Sequence, residues 1–210
     1  MIQGIARFFV SGGDFMWVIL CVLAAGFAVT VERLIFYFFV CKKNGLSLVT
    51  GLIKLINQGK GSEAESTLKE RNDPLGNMLK VALTRYNAGL AFGELEEGVQ
   101  ESAIKEMPRM MARLNYLSLF ANIATLLGLI GTISGLQASF SSLAAVEASK
   151  KAVMLASGIA EAMNCTAFGL ITAVPCMVLY TYFYNMQAGH SKDIDEALVR
   201  FMNFLKKKMS

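Results

Sequence analysis

The stretch LLGLIGTISGLQASF occupies Leu126 to Phe140. It carries no charge, three glycines, one threonine and two serines. It sits inside the longest uncharged run of the chain, Leu114 to Val146. A bilayer core is crossed by about 20 apolar residues as helix, so this run is read as a transmembrane helix, expected at 114–141. Its small and hydroxylated residues are not scattered. Ala121, Thr125, Gly128, Thr132, Gly135, Ser139 and Ser142 follow steps of three and four, which places them on one helical face. Leucine and isoleucine take the other faces.

Two further stretches are nearly free of charge. One runs from Phe15 to Val31, then continues after Glu32-Arg33 from Leu34 to Val40. The other is Ala162 to Gly189, between Glu161 and His190. Each can span a membrane once, which predicts helices at 14–41 and 157–187. Of the 210 residues, 54% are hydrophobic and only 17% charged, against about 25% charged in a soluble domain. The charges cluster between and after the apolar stretches. The fold class expected is therefore an all-α integral membrane protein with three transmembrane helices extending into a cytoplasmic helical domain.

Lysine and arginine near the span ends set the orientation. Lys42 and Lys43 follow the first span, Arg109 and Arg113 precede the second, and Lys192, Arg200 and Lys206 to Lys208 follow the third. These flanks are assigned to the cytoplasm, against Arg7 and Lys150-Lys151 on the other side. The expected layout is an interfacial or periplasmic segment at 1–13, a cytoplasmic domain at 42–113, a periplasmic connection at 142–156 and a cytoplasmic C-terminal helix at 188–210. The N-terminus is then periplasmic and the C-terminus cytoplasmic. The start MIQGIARFFVSGG is not expected to be a signal peptide, because no apolar core leads to a small-residue cleavage site. Met1 to Val10 reads as an amphipathic surface segment, broken by Gly12-Gly13, with Asp14 as a cap for the first span.

Within 42–113 the sequence predicts helices. Ser62-x-x-Glu65 has the form of a capping box. Asp73-Pro74 has the form of an N-cap followed by proline at the first helical position. The run GELEEGVQESAIKEMPRMMARL leads into the second span as one long helix, with a kink expected at Pro108.

Catalytic and metal signatures are weak. Cys21, Cys41, Cys165 and Cys176 form no CxxC pair and lie in or beside spans, so no disulfide framework is expected. No Ser-His-Asp set, metal cluster or phosphate loop is found. An enzyme is not expected, and neither is a cofactor. The small basic excess, 20 residues against 16 acidic, is explained by span flanks and calls for no nucleic acid. The lipid bilayer is the expected surrounding.

The third stretch also carries a small-residue face: Gly158, Ala162, Thr166, Gly169, Ala173 and Cys176. Two readings stay open. Such faces pack helices closely, as Gly131-x-x-x-Gly135 suggests, or they line a passage. Glu161 favours the second, since ionisable groups at spans are costly and mark function. No charged group lies deep inside either striped helix, so ion movement would need a titrating group from a partner.

These residues carry a resemblance. ATLLGLIGTISGLQASF, from Ala124, resembles the GLLGTVxG segment of the ExbB/TolQ family, relatives of the flagellar stator protein MotA. GIAEAMNCTAFGLITAVPC, from Gly158, resembles that family's GIAEALxxTAxGLxxAIPA segment. Glu32-Arg33 is similar to the Glu-Arg pair ending the family's first span. The order of spans and loops fits along the whole chain. Thr125 departs from the family's usual proline, and Asn164-Cys165 from its usual small or apolar pair.

The resemblance implies a subunit of a proton-motive-force-driven motor in the bacterial inner membrane. It implies a homo-oligomeric ring, a pentamer, around the aspartate-bearing helices of an ExbD/TolR-like single-span partner. It implies H⁺ as the translocated ion, with Na⁺ left open. Force would pass to a TonB/TolA-like protein for uptake, envelope maintenance, motility or secretion, and the branch stays open. By position it makes Thr132, Thr166 and Glu161 pore-lining. Gly128, Gly131, Gly135, Gly158, Gly169 and Ala173 are the expected packing face. The rival reading is a structural helical membrane scaffold that conducts nothing.

Overall fold

The computed structural model describes residues 8–9, 12–41, 44–143 and 147–209. Most of the surface segment expected at 1–10 lies outside them, as do the flanking Lys42 and Lys43 and residues 144–146 of the expected connection. The architecture is helical. Helix α1 covers Phe15–Ile35 and passes into a π-helical turn, Phe36–Val40. Then come α2 (Gly45–Asn57), α3 (Gly61–Lys69), α4 (Pro74–Asn87), α5 (Phe92–Met111), α6 (Leu114–Ser142) and α7 (Ala148–Met209). Among the described residues, three helical stretches are long and apolar enough to cross a membrane: Phe15–Phe39, Phe92–Ser142 and Ala148–Met209. The third span expected at 157–187 lies within α7, which starts earlier and continues without a break past residue 188.

The chain divides into two compact units. The first holds α1 up to Val31, α6, and α7 up to Tyr182. Its interior is small. Ala121, Ala124, Gly128, Gly131, Gly135 and Ser139 form the buried face of α6. Leu126, Ile130, Ile133, Val174 and Val178 point outward and are exposed. A water-soluble helix would do the reverse, because burying one such side chain is worth about 1.5–3 kcal/mol in water. In lipid the outer face needs no cover, and small residues let backbones approach.

The second unit holds α2 to α5 and the end of α7. Here the pattern is that of a protein in water: Leu52, Leu68, Met78, Leu79, Leu95 and Phe201 are buried, and the buried charges Arg33, Asp73 and Glu106 are hydrogen-bonded. Asp73 caps α4 as expected, accepting from the Gly76 amide at 3.4 Å, with Pro74 in the first turn. Arg71 holds the same carboxylate at 2.7 Å. Gly59 and Gly89 end α2 and α4 in the left-handed conformation, φ +73° and +74°, the glycine stop that satisfies the last carbonyls.

Two expectations are corrected. Ser62 is not a cap. Helix α3 begins at Gly61 with Lys60 before it, and the Ala64 amide already bonds to the Lys60 carbonyl. Ser62 is therefore inside the first turn, where its hydroxyl cannot reach forward to a free amide. The second is the single unbroken helix expected to run through Pro108 into the second span; Pro108 does lie inside α5. The break comes at Ala112, with ψ 137°, and Arg113, with φ 64°. Side chains explain its place. Arg33 Nη1 donates to the Arg109 carbonyl at 3.4 Å, and Tyr37 Oη donates to the Met110 carbonyl at 2.6 Å. The last acceptors of α5 are thus satisfied from outside the helix, which permits termination there.

Candidate functional site

The candidate site lies in the first unit, along the seam where α6 and α7 meet. The glycines explain how close these helices come. A Cβ added at Gly169 would stand 2.7 Å from the Ala124 carbonyl oxygen and 3.1 Å from Gly128 Cα. One at Gly128 would meet Thr166 Cα at 3.3 Å and Gly169 Cα at 3.4 Å. One at Gly135 would meet Ala162 at 3.3 Å. At Gly169 main chain lies directly on main chain and only glycine leaves room, while at Gly128 and Gly135 the approach is tight. Gly131 makes space for the Cys165 side chain, and Gly158 for the Ser139 hydroxyl. Ala173 is buried further along, in a cluster with Ala121, Ala124 and Cys176.

The threonines border this seam. Thr166 Oγ1 donates across it to the Gly128 carbonyl at 3.1 Å. Thr132, one turn along α6 from Gly128, donates to the Leu129 carbonyl of its own helix at 2.6 Å. One turn is about 5.4 Å, so the two hydroxyls sit at similar depth. A carbonyl can only accept, so in both cases the hydroxyl proton is spent on main chain. Each oxygen keeps lone pairs. Both threonines are therefore poised as acceptors, suited to an incoming O–H from a carboxylic acid or a water.

Glu161 stands apart from them. It precedes Thr166 by five residues, about 140° around α7 at the usual 100° per residue. It is exposed, and its carboxylate lies against Gly13, the residue before Asp14 and the start of α1. Thr166 thus bonds across the seam, Thr132 lies one turn along α6 and bonds within its own helix, and Glu161 sits at the edge facing α1. Sequence reasoning missed Gly13. The Gly12-Gly13 pair is legible as a helix breaker, but a dipeptide gives no sign of which side chain will rest on it. It also missed Cys165 as the filler of Gly131. Asn164-Cys165 reads only as a departure from the family pattern, yet Cys165 is 1% exposed and packs with Met16, Ile19 and Phe168.

This geometry describes two helices joined main chain to main chain, with acceptor oxygens at the seam and no Asp, Glu, Lys, Arg or His between residues 114–146 or 162–189. Comparison with known proteins gives the same direction. "Biopolymer transport protein ExbB" from Pseudomonas putida is 29% identical over 110 residues, covering 49% of this chain and 33% of that protein. The matched region is thus about a third of the relative's length. Residues 70–196, more than half of the chain, match the MotA/TolQ/ExbB proton channel family. That region contains α4 to α6 and the seam with Thr132, Glu161 and Thr166. The apolar helices make this a membrane protein, and the chain belongs to the MotA/TolQ/ExbB proton channel family.

Proposed function

We propose that the chain is the ring-forming subunit of an inner-membrane motor driven by the proton-motive force. Several copies, five by the family pattern, surround the spans of an ExbD/TolR-like partner. Each partner span brings the aspartate that the seam lacks. The second unit, with residues 42–113, then faces the cytoplasm, and the N-terminus faces the periplasm. The work done on the envelope is uptake, maintenance, motility or secretion.

The observation that carries this reading is the pair of acceptor-poised threonines on helices with no Asp, Glu, Lys, Arg or His between residues 114–146 or 162–189. A protonated partner aspartate can donate to Thr166 or Thr132 directly or through a water. Once it has lost its proton it has nothing to donate, and it favours a donor instead. The wall therefore holds the neutral form better than the charged one. Protonation can thus govern when a partner helix moves past a smooth face of glycines and alanines. A structural scaffold is the second reading, and one observation favours it: the Thr166 to Gly128 bond also ties two helices together.

Copurification distinguishes them. An affinity-tagged chain should bring down a small single-span protein at fewer copies than its own, and native mass spectrometry should count five copies of this chain. A tagged chain that purifies as a closed monomer or dimer, with no such partner, would support the scaffold instead.

A further inference from the structure

We propose that Gly13 is a positioning residue for Glu161, and that the turn before α1 fixes where that carboxylate points during proton transfer. The proposal deepens the motor reading and rests on it for its functional consequence, but the contact itself can be tested without it.

The geometry is specific. Gly13 has φ +76°, and a Cβ built there would lie 2.5 Å from Glu161 Oε1. Real Cβ atoms do not come so near, so the carboxylate occupies the space that glycine leaves open. Gly59 and Gly89 supply an internal comparison. They share the conformation, φ +73° and +74°, yet a Cβ at either would meet nothing within 4 Å. At those positions glycine serves the backbone turn alone. At Gly13 it serves the turn and the carboxylate together.

The turn is also anchored to the helix that bears Glu161. Just after it, Met16 and Ile19 are fully buried against Cys165 and Phe168 of α7. Just before it, the Phe9 ring meets the Phe168 ring edge-on at 5.1 Å and the Trp17 ring at 5.2 Å. Contacts on both sides of Gly13 thus pin it over one stretch of α7. Glu161 is otherwise exposed on a long, rotatable side chain. The space left by glycine admits a carboxylate orientation that a Cβ at this position would exclude.

The test uses the full chain with its partner. Gly13→Ala adds both strain and bulk. Gly13→Asn adds bulk where the backbone remains acceptable, since asparagine tolerates the left-handed region. Each should lower gradient-driven work by about fivefold, the scale of coupling between residues in contact. Glu161→Asp, which shortens the side chain, should restore part of that loss when combined with either. Gly89→Ala, strained alike but facing no carboxylate, should leave work unchanged. A second readout does not depend on the motor. Thermal midpoints of the purified protein should be non-additive for Gly13→Asn with Glu161→Asp, and additive for Gly89→Ala with Glu161→Asp. Additive midpoints in both pairs, or a Gly13→Asn protein that works like the original, would overturn the positioning role. Non-additive midpoints in a complex that does no gradient-driven work would keep the contact and remove the motor reading.

Discussion

Gly169→Leu is expected to leave almost no folded protein in the membrane. The reason is what surrounds that glycine. A side chain's first carbon would already lie 2.7 Å from the Ala124 carbonyl and 3.1 Å from Gly128 Cα. Both are main-chain atoms of α6, and neither can rotate aside. The helices must separate to admit leucine. Separation also breaks the 3.1 Å bond from Thr166 to the Gly128 carbonyl and opens the packing of Gly128 on Thr166. Overpacking costs about 1–3 kcal/mol where side chains can yield, and more where they cannot. A lost interhelical hydrogen bond adds about 0.6 kcal/mol. The total is a large part of a stability of about 5–15 kcal/mol. The neighbouring Leu170 is 48% exposed and faces away from the seam. Leu170→Phe should therefore give yield and thermal midpoint close to the original. The check is the amount of detergent-extracted protein and its melting curve. Equal behaviour of the two variants would mean that α6 and α7 do not meet through their glycines.

The second large effect is functional. Thr166→Val should assemble normally and lose about a hundredfold in gradient-driven work, the lower end of what a positioned proton donor or acceptor contributes. Valine nearly matches threonine in shape, so the seam keeps its packing. The bond to Gly128 is lost, but at about 0.6 kcal/mol it is too small to unfold the helices. What disappears is the oxygen that accepts from an incoming acid or water. Thr166→Ser keeps that oxygen and should retain most activity. The same contrast should appear, more weakly, at Thr132, whose hydroxyl bonds only within its own helix. Complex yield and transport must be measured together. Valine and serine variants that work alike would leave the hydroxyl only its structural bond, which is the scaffold reading.

The helices that could cross a membrane were legible because that signal is local and cumulative: a long run without charge has few other homes. The start of α4 was legible for the same reason, since Asp73 and Pro74 act on the turn they begin. What escaped depended on distant partners. Pro108 is a strong local signal for a kink, but the chain breaks at Ala112–Arg113, where Arg33 and Tyr37 satisfy the end of α5 from more than 70 positions away. Ser62 offered a capping pattern that a helix beginning at Gly61 made unusable. Of the site, the small-residue faces could be read from periodicity. The bond from Thr166 to the Gly128 carbonyl could not, because it depends on which helix lies across the seam. Nor could the pairing of Gly13 with Glu161, which needs α1 and α7 side by side.

In the proposed motor this chain supplies the wall of a proton path and a partner supplies the titrating group. Proton flux in liposomes tests it most directly, with the purified chain reconstituted alone and with its single-span partner. Flux is expected only when both are present, and is expected to be lost when the partner's membrane aspartate is changed to asparagine. Flux through this chain alone, or undiminished flux with the asparagine partner, would contradict it.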